Sequence, residues 1–128
     1  MMQKITIKQS ETINGSGVFS KENIKKGEII EIAPLILLPI KDFKHIKKTN
    51  LYYYYFEYTN KHFVIALGTA SLYNHSYSPN ARYLYDYKNK KLIIKAIKNI
   101  KSNSEIFINY NYYPNSKKPL GDWFKKDL

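Results

Sequence analysis

Apolar and polar residues alternate over most of the chain, and this two-residue period is typical of half-buried β-strands. Turn signals rich in Gly, Asn, Pro and Lys separate the alternating segments and keep each of them short. We predict strands at residues 5–7, 18–19, 29–32 (ending at Pro34), 35–38, 63–67, 81–87, 92–97 and 105–110. The pattern therefore predicts a mainly β protein.

One region departs from this alternation. Asp42 is a candidate helix N-cap, and the loose helical spacing of the apolar residues after it predicts a short helix over residues 43–48. Residues 52–56 are aromatic at every position, so periodicity assigns them to neither a helix nor a strand. Residues 69–76 are predicted to be irregular, with at most one helical turn. Asn89-Lys90 is a predicted hairpin turn, in which Asn tolerates the left-handed conformation.

The chain also contains a faint internal repeat. Residues 23–29 resemble residues 99–106 with one insertion, and both segments are a turn that leads into a strand. Two similar β units would fit a pseudo-symmetric fold, although turn composition alone would produce the same likeness.

Length and composition exclude several classes of protein. The 128 residues correspond to one domain, which can bury a core without help from a metal or a disulfide. The chain has no cysteine, which excludes disulfides, cysteine-bound zinc and thiol nucleophiles. We expect no metal site, because His45 and His62 are not spaced as co-ligands of His75. No apolar stretch could span a bilayer and the first residues lack a secretory signal, so the expected location is intracellular and soluble, in an unassigned compartment.

The formal net charge is +11, and it comes from 20 lysines with Arg82 as the single arginine. Coding bias explains this excess as well as function does, because Lys, Asn, Ile, Tyr and Phe are all abundant. Alternatively, the lysines attract phosphate, including nonspecific contact with DNA. One arginine disfavours base-specific recognition. Most of the 13 tyrosines are likewise expected to serve packing or to follow coding bias.

Three segments carry residues suited to a binding site. In residues 14–19, glycines on both sides of Ser16 let the backbone approach a ligand closely, although a hairpin turn has the same pattern. Residues 73–81 concentrate an amide, an imidazole and hydroxyls in a predicted loop. Residues 105–113 form an alternating strand that runs into tyrosines and asparagines, so a tyrosine at the strand end is a candidate site residue.

Taken in this order, the segments resemble the SET domain of protein-lysine methyltransferases, most of all the minimal viral and bacterial SET proteins. The likeness covers residues 4–113 and leaves 114–128 as a tail over the cofactor site. It implies a β-clip of small curved sheets, one or two short helices and a C-terminal pseudoknot. The matching segments are Gly15-Ser16-Gly17-Val18-Phe19, Lys26-Gly27-Glu28-Ile29-Ile30-Glu31, Tyr73-Asn74-His75-Ser76 with Pro79-Asn80-Ala81, and Glu105-Ile106-Phe107-Ile108-Asn109-Tyr110.

The resemblance implies a site for S-adenosylmethionine on one face of the pseudoknot. Asn74 would bind the methionine part of the cofactor, and the main chain of His75 would meet the adenine. Trp123 in the tail is well placed to cover the adenine side, although a core-capping cluster explains it equally well. The backbone that would line the pocket is that of Gly15, Ser16 and Gly17.

A lysine channel is implied on the opposite face. Tyr110 matches the catalytic tyrosine, which also borders the cofactor, and Tyr54 matches the second catalytic tyrosine of the channel. Tyr55 takes that place if the alignment slips by one residue. Ile108 occupies a channel position where several histone enzymes carry Phe or Tyr that limits the number of methyl groups. Tyrosines suit this role because their rings desolvate the amine and their hydroxyl can orient its lone pair.

The expected function is therefore S-adenosylmethionine-dependent methylation of an exposed lysine in a protein, with histones among the candidates. We expect a homodimer and no membrane partner. The alternative is a non-enzymatic basic β domain that binds nucleic acid through lysines and tyrosines. A basic histone tail would be repelled by a basic enzyme. Either the groove is acidic, through some of Glu11, Glu31, Glu57 and Asp86, or the substrate is not a free basic tail.

Overall fold

The computed structural model describes residues 4–121, in which nine strands form two curved sheets and one short helix follows the third strand. The strands are β1 (Ile5–Gln9), β2 (Ser16–Ser20), β3 (Ile29–Pro39), β4 (Phe56–Glu57), β5 (His62–Ala66), β6 (Asn74–His75), β7 (Ala81–Asp86), β8 (Lys91–Ala96) and β9 (Glu105–Ile108). The helix α1 (Phe43–Ile46) is accompanied by 3₁₀ turns at Ile40–Asp42, Asn50–Tyr53 and Ala70–Leu72. The predicted mainly β fold is confirmed. Within residues 4–121, no helix is both long and apolar enough to cross a membrane.

The strand order of the first sheet places its last strand between two earlier ones. This sheet has the order β1-β2-β9-β6, and the second has the order β4-β5-β3-β8-β7. Paired strands run antiparallel except β6 and β9, which are parallel. Because β9 is inserted between β2 and β6, the chain forms the expected C-terminal pseudoknot. One hydrophobic cluster joins the inner faces of both sheets, with Val18 and Ile106 from the first and Leu92 and Ile94 from the second.

Strand β3 corrects the prediction of two strands divided at Pro34. It is one strand of 11 residues. Its first half pairs with β8 as far as Pro34, and its second half pairs with β5 from Leu35 onward. The Pro34 carbonyl still accepts the backbone N–H of Leu67 at 3.0 Å. The missing N–H of proline therefore falls where the strand changes its partner, and the strand continues through it.

Other local predictions are corrected in the same way. The hairpin between β7 and β8 is present, but Lys90 (φ 55°) rather than Asn89 takes the left-handed conformation. Asn89 instead donates its backbone N–H and side-chain amide to Asp86, at 3.1 and 2.9 Å. The helix is shorter than predicted, and the side chain of Asp42 at its N-cap makes no capping hydrogen bond. Alternation could not detect β4 and β6, which have two residues each.

The internal repeat is a pair of matching turns, residues 23–28 and 99–104, that lie side by side. Ile24 and Ile100 exchange backbone hydrogen bonds of 2.8 Å in both directions. The Asn23 side chain accepts the N–H of Ser102, and the Asn99 side chain accepts the N–H of Lys26, each at 2.9 Å. Each turn closes on a left-handed residue, Gly27 (φ 91°) and Asn103 (φ 67°). Asn103 thus takes the left-handed conformation that glycine takes in the first turn, which Asn tolerates.

Candidate active site

Both the hydroxyl and the backbone of Tyr110 are hydrogen-bonded to residues 73–75, the segment that contains β6. Its hydroxyl donates to the Tyr73 carbonyl at 2.6 Å, and its backbone N–H donates to Nδ1 of His75 at 3.0 Å. Burial, with a smaller contribution from Tyr54, raises the pKa of the Tyr110 hydroxyl well above its ordinary value. The hydroxyl therefore remains protonated at neutral pH and can act only as a hydrogen-bonding group.

Tyr54 and Tyr55 follow the 3₁₀ turn Asn50–Tyr53 and differ in their contacts. Tyr54 is near enough to Tyr110 to contribute to the raised pKa of that hydroxyl. The Tyr55 ring packs against Phe43 and Phe63, with centroid distances of 5.0 and 6.0 Å. This geometry favours the alignment in which Tyr54, rather than Tyr55, is the second channel tyrosine.

Asn74 is buried where β6, β9 and the turn at residues 15–17 meet. Its Nδ2 donates to the Ser16 carbonyl at 2.9 Å and to Oε2 of Glu105 at 2.8 Å. These two bonds use both hydrogens of the amide and leave the Oδ1 oxygen as an acceptor. An ammonium group is a suitable donor to this oxygen.

Gly17 permits the close approach of β2 to this corner. A Cβ at position 17 would lie 2.3 Å from Oε2 of Glu105 and 3.0 Å from Nδ2 of Asn74. The other oxygen of Glu105 accepts the hydroxyl of Ser10 at 2.8 Å. The Glu105 carboxylate therefore ties β1 and β6 to β9, and a larger residue at position 17 would displace it.

His75 holds the crossing segment through its imidazole. Burial lowers the pKa of His75 to about 4, so the ring is neutral at pH 7. Because Nδ1 accepts the N–H of Tyr110, the ring proton is assigned to Nε2. The ring centroid lies 4.5 Å from that of Tyr77 and 5.2 Å from that of Tyr110. The imidazole thus has a positioning contact in addition to the main-chain role predicted for this residue.

Tyr73 is supported from behind by a carboxylate. Its hydroxyl donates to Oε1 of Glu31 at 2.8 Å, and Thr69 donates its backbone N–H to Oε2 at 3.0 Å and its hydroxyl to Oε1. Burial, reinforced by the charge of Glu31, raises the pKa of Tyr73 far above its ordinary value. Gly68 has a φ of 69°, and a Cβ there would lie 2.8 Å from Oε2 of Glu31. The Glu31 carboxylate is therefore engaged inside the fold.

Sequence reasoning gave no site role to Tyr73, Asn80 or Glu105, and it considered Glu31 only as a carboxylate of an acidic groove. Asn80 pins β9 in place, because its amide donates to the Glu105 carbonyl at 3.0 Å and accepts the N–H of Phe107 at 2.8 Å. All four residues lie inside the segments that carry the family resemblance. The available signal for these residues was a polar side chain among apolar neighbours. Their hydrogen-bond partners lie too far away in sequence to be inferred.

A cavity of about 890 Å³ opens above Tyr54 and Tyr110. It runs between residues 53–60, β7 and the segment after β9, and 11 of the 13 tyrosines of the chain line it. Coding bias would spread tyrosines along the sequence, so their concentration here points to a function. We call this cavity the tyrosine groove; its tyrosines are Tyr53, Tyr54, Tyr55, Tyr58, Tyr73, Tyr83, Tyr85, Tyr87, Tyr110, Tyr112 and Tyr113.

One predicted channel residue does not line this groove. Ile108 is fully buried in the core opposite His75 and is not among the described residues that line the groove. Trp123 lies outside the described residues. The described start of the tail runs beside the groove, since the Lys118 carbonyl accepts the hydroxyl of Tyr77 at 2.9 Å and the amide of Asn111 at 2.7 Å. The division at residue 113 and the covering role of the tail stay predictions.

The sheet with its inserted last strand and the site on the crossing are those of a small pseudoknotted β-clip protein. A family model for the SET domain matches residues 15–111. The chain therefore belongs to the SET domain family. This match favours the interpretation as an enzyme over the interpretation as a non-enzymatic domain that binds nucleic acid.

Individual relatives are consistent with the family. The H3 lysine-37 specific histone-lysine N-methyltransferase of Schizosaccharomyces pombe is 31% identical over 97 residues. That match covers 75% of this chain and 66%, just under two thirds, of the yeast protein. The crystal structure of a candidate histone methyltransferase of Plasmodium falciparum superposes with a TM-score of 0.70 at 37% identity, over 86% of this chain and 95% of that one.

A more distant structure supports the fold alone. A humanized mutant of Polycomb Repressive Complex 2 from Chaetomium thermophilum, bound to the inhibitor GSK126, matches with a TM-score of 0.72 at 20% identity. The match covers 90% of this chain and 16% of that one.

Proposed function

We propose that the protein is an S-adenosylmethionine-dependent protein-lysine N-methyltransferase. The observation that carries this proposal is the Tyr110 hydroxyl, fixed 2.6 Å from the Tyr73 carbonyl at the base of the tyrosine groove. The names of the yeast and Plasmodium relatives agree with it. The substrate is a protein with an accessible lysine, and both names make histones the first candidates.

The corner around Asn74 fits the proposed cofactor. Its Oδ1 can accept from the ammonium group of the methionine part, while its Nδ2 is held by Ser16 and Glu105. Gly17 keeps the backbone of residues 15–17 close to this corner, because a Cβ there would meet Glu105 at 2.3 Å. When bound, S-adenosylmethionine supplies a methyl group that is already activated by its sulfonium charge. Residues 15–17, Asn74 and the main chain of His75 would hold it.

The groove prepares the lysine for reaction. A lysine in water has a pKa of about 10.4, so its amine must lose a proton before it can accept a methyl group. Tyrosine rings exclude water and favour the neutral amine. Because Tyr110 donates its own hydrogen to the Tyr73 carbonyl, its oxygen would meet an amine hydrogen as an acceptor, which orients the nitrogen lone pair. Tyr54, beside it, supplies a second wall at this point.

Removal of one hydroxyl tests the proposal. Tyr110→Phe keeps the ring and should lower the rate of methyl transfer by about 10²–10³, because the lost group acts mainly in the transition state. The rate is measured with lysine substrates at saturating S-adenosylmethionine, with thermal melting as a fold control. Tyr113→Phe is the matched control, since Tyr113 is 64% exposed at the groove rim. Parent-like turnover in Tyr110→Phe would remove Tyr110 from the site, and inactivity of the parent on all lysine substrates would overturn the proposed enzyme.

Two partner predictions are not tested by the fold. The homodimer expected from sequence stays a prediction, for which the exposed side chains of Ile32 (55%) and Ile36 (46%) on β3 provide apolar surface. Nonspecific contact between the lysines and DNA also stays a prediction.

A further inference from the structure

The tyrosine groove carries almost no charge. Among the described residues that line it, only Glu57 and Lys118 are charged, and their charges cancel. The whole chain has a formal net charge of +11. The lining residues of the groove therefore carry no net formal charge although the molecule is strongly positive, and a cluster of positive charges on a substrate would find a single lining carboxylate there, that of Glu57.

Most of the carboxylates suggested for an acidic groove do not line it, and among these Asp86 still acts from the edge, since its charge adds to burial in raising the pKa of Tyr58. Glu31 accepts from Thr69 and Tyr73 behind the groove. Asp86 accepts from Asn89 in the β7–β8 hairpin turn, and Glu28 pairs with Lys4. Of the four acidic residues that the sequence suggested for an acidic groove, only Glu57 lines it.

On one wall of the tyrosine groove, the faces of the tyrosine rings are already in contact with other side chains. The Arg82 guanidinium lies 5.5 Å from the centroid of the Tyr112 ring. Tyr85 stacks on Tyr112 at 6.0 Å with an interplanar angle of 9°, and the Tyr58 ring meets Tyr85 edge-on at 5.1 Å. A cation from a substrate would have to compete with Arg82 for the face of Tyr112 and would be repelled by it. This wall therefore offers apolar ring surface in preference to a cation site.

We propose that the substrate lysine lies in a segment whose neighbouring side chains are uncharged, aromatic or aliphatic, and that basic residues beside the target lysine are disfavoured. This inference rests on the proposed function. Two features support it independently of the reaction: the apolar rings provide contact area for uncharged side chains, and the positive field of the protein opposes the approach of a basic segment.

Three peptides of equal length test the inference, each with one central lysine and flanks that are aromatic-aliphatic, arginine-rich or glutamate-rich. We expect kcat/KM of the arginine-rich peptide to be at least about tenfold below that of the aromatic-aliphatic peptide at low salt. The gap should narrow between about 0.02 and about 0.3 M salt, because screening weakens the repulsion. Equal or higher kcat/KM for the arginine-rich peptide would overturn the inference.

A pair of charge variants separates the groove from the net charge. Tyr113→Glu adds a carboxylate at the groove rim, and Ile7→Glu adds one at a partly exposed position on β1, outside the groove. Both lower the net charge by the same amount. We expect Tyr113→Glu to raise kcat/KM for the arginine-rich peptide several-fold more than Ile7→Glu does. Equal effects of the two substitutions would show that the groove does not discriminate against basic peptides, which contradicts the inference.

A binding measurement distinguishes failure of the inference from failure of the proposed enzyme. The same peptides with norleucine in place of lysine are titrated into the protein by calorimetry in the presence of S-adenosylhomocysteine. Tighter binding of the aromatic-aliphatic peptide supports the inference even if no lysine peptide is methylated, an outcome that would overturn only the proposed function. Tighter binding of the arginine-rich peptide overturns the inference whatever the activity.

Discussion

The base and the walls of the candidate site are built by different physics. The base, which we define as Gly17, Asn74, His75, Glu105 and Tyr110, is held by buried hydrogen bonds of 2.6–3.0 Å between specific atoms. The walls are the outer tyrosines of the groove. They are held mainly by ring contacts such as that between Tyr58 and Tyr87, whose centroids lie 4.9 Å apart. An unmade buried hydrogen bond is costly, whereas a ring contact can shift and remain favourable. The base therefore fixes geometry, and the walls can adapt to a partner.

The largest effect is expected in the base, where Gly17→Ala should lower both stability and cofactor affinity. The added methyl would overlap Glu105 and Asn74, since its carbon would lie 2.3 and 3.0 Å from their polar atoms. We expect a loss of about 3 kcal/mol in the free energy of unfolding and a loss of S-adenosylmethionine affinity of at least about tenfold. Denaturant unfolding and calorimetry measure the two effects.

Gly27→Ala is the matched control for this substitution. Gly27 has a φ of 91° but open space around its Cβ position, so alanine there adds backbone strain without a clash. It should cost about 1 kcal/mol of stability and leave cofactor affinity unchanged. A Gly17→Ala protein with parent-like affinity would show that the base tolerates displacement of Glu105.

Protonation of His75 at low pH is expected to have an intermediate effect on the stability of the protein. The folded pKa of His75 is about 4, below its ordinary value of 6.5, so the unfolded chain binds a proton that the folded chain does not. Stability should therefore fall as pH decreases from about 6.5 to about 4, by about 1–2 kcal/mol after allowance for solvent screening of a half-buried ring.

His75→Asn isolates this contribution, because Asn retains an acceptor and does not titrate. Unfolding free energies of both proteins are measured at about pH 7 and about pH 4.5, where carboxylates contribute equally to each. The parent should lose more stability than the variant. Identical losses would mean that His75 titrates in the folded protein as it does in water.

The smallest effect is expected at the walls, from Tyr85→Phe. The Tyr85 hydroxyl donates to the Glu57 carbonyl, and its ring contacts do not need the oxygen. The loss should be about 1 kcal/mol or less in stability, with little change in kcat. Tyr83→Phe is the comparison, because the Tyr83 hydroxyl donates to the Tyr110 carbonyl at 3.2 Å and so joins wall to base. A larger effect on kcat in Tyr85→Phe than in Tyr83→Phe would contradict the division between base and walls.

Sequence patterns predicted the strands with regular alternation and the turns between them. Alternation located β7, where Ala81 and Tyr83 are buried, and β8, where Leu92 and Ile94 are buried. The turn at residues 99–104 was predicted from its likeness to the turn at residues 23–28. These features depend on neighbours in sequence, which is the information that a pattern contains.

The missed features depend on residues far apart in the chain. Pro34 does not end β3, because the strand changes partner at that residue, and only the pairing of three strands reveals this. Glu105 joins Ser10, 95 residues away, to Asn74, 31 residues away. The contacts of Tyr55 with Phe43 and Phe63 could not be predicted either, because a run of aromatic residues does not indicate which ring packs against which partner.

The insertion of β9 between β2 and β6 has a consequence for biosynthesis. Until the ribosome has delivered residues 105–108, one edge of β2 has no partner and Asn74 lacks its bond to Glu105. Such long-range pairing forms slowly, and an unpaired strand edge is a site of aggregation in a nascent chain. The time between synthesis of β2 and arrival of β9 is therefore the interval in which this protein most needs protection by chaperones, and the ligand-binding corner is completed only at its end.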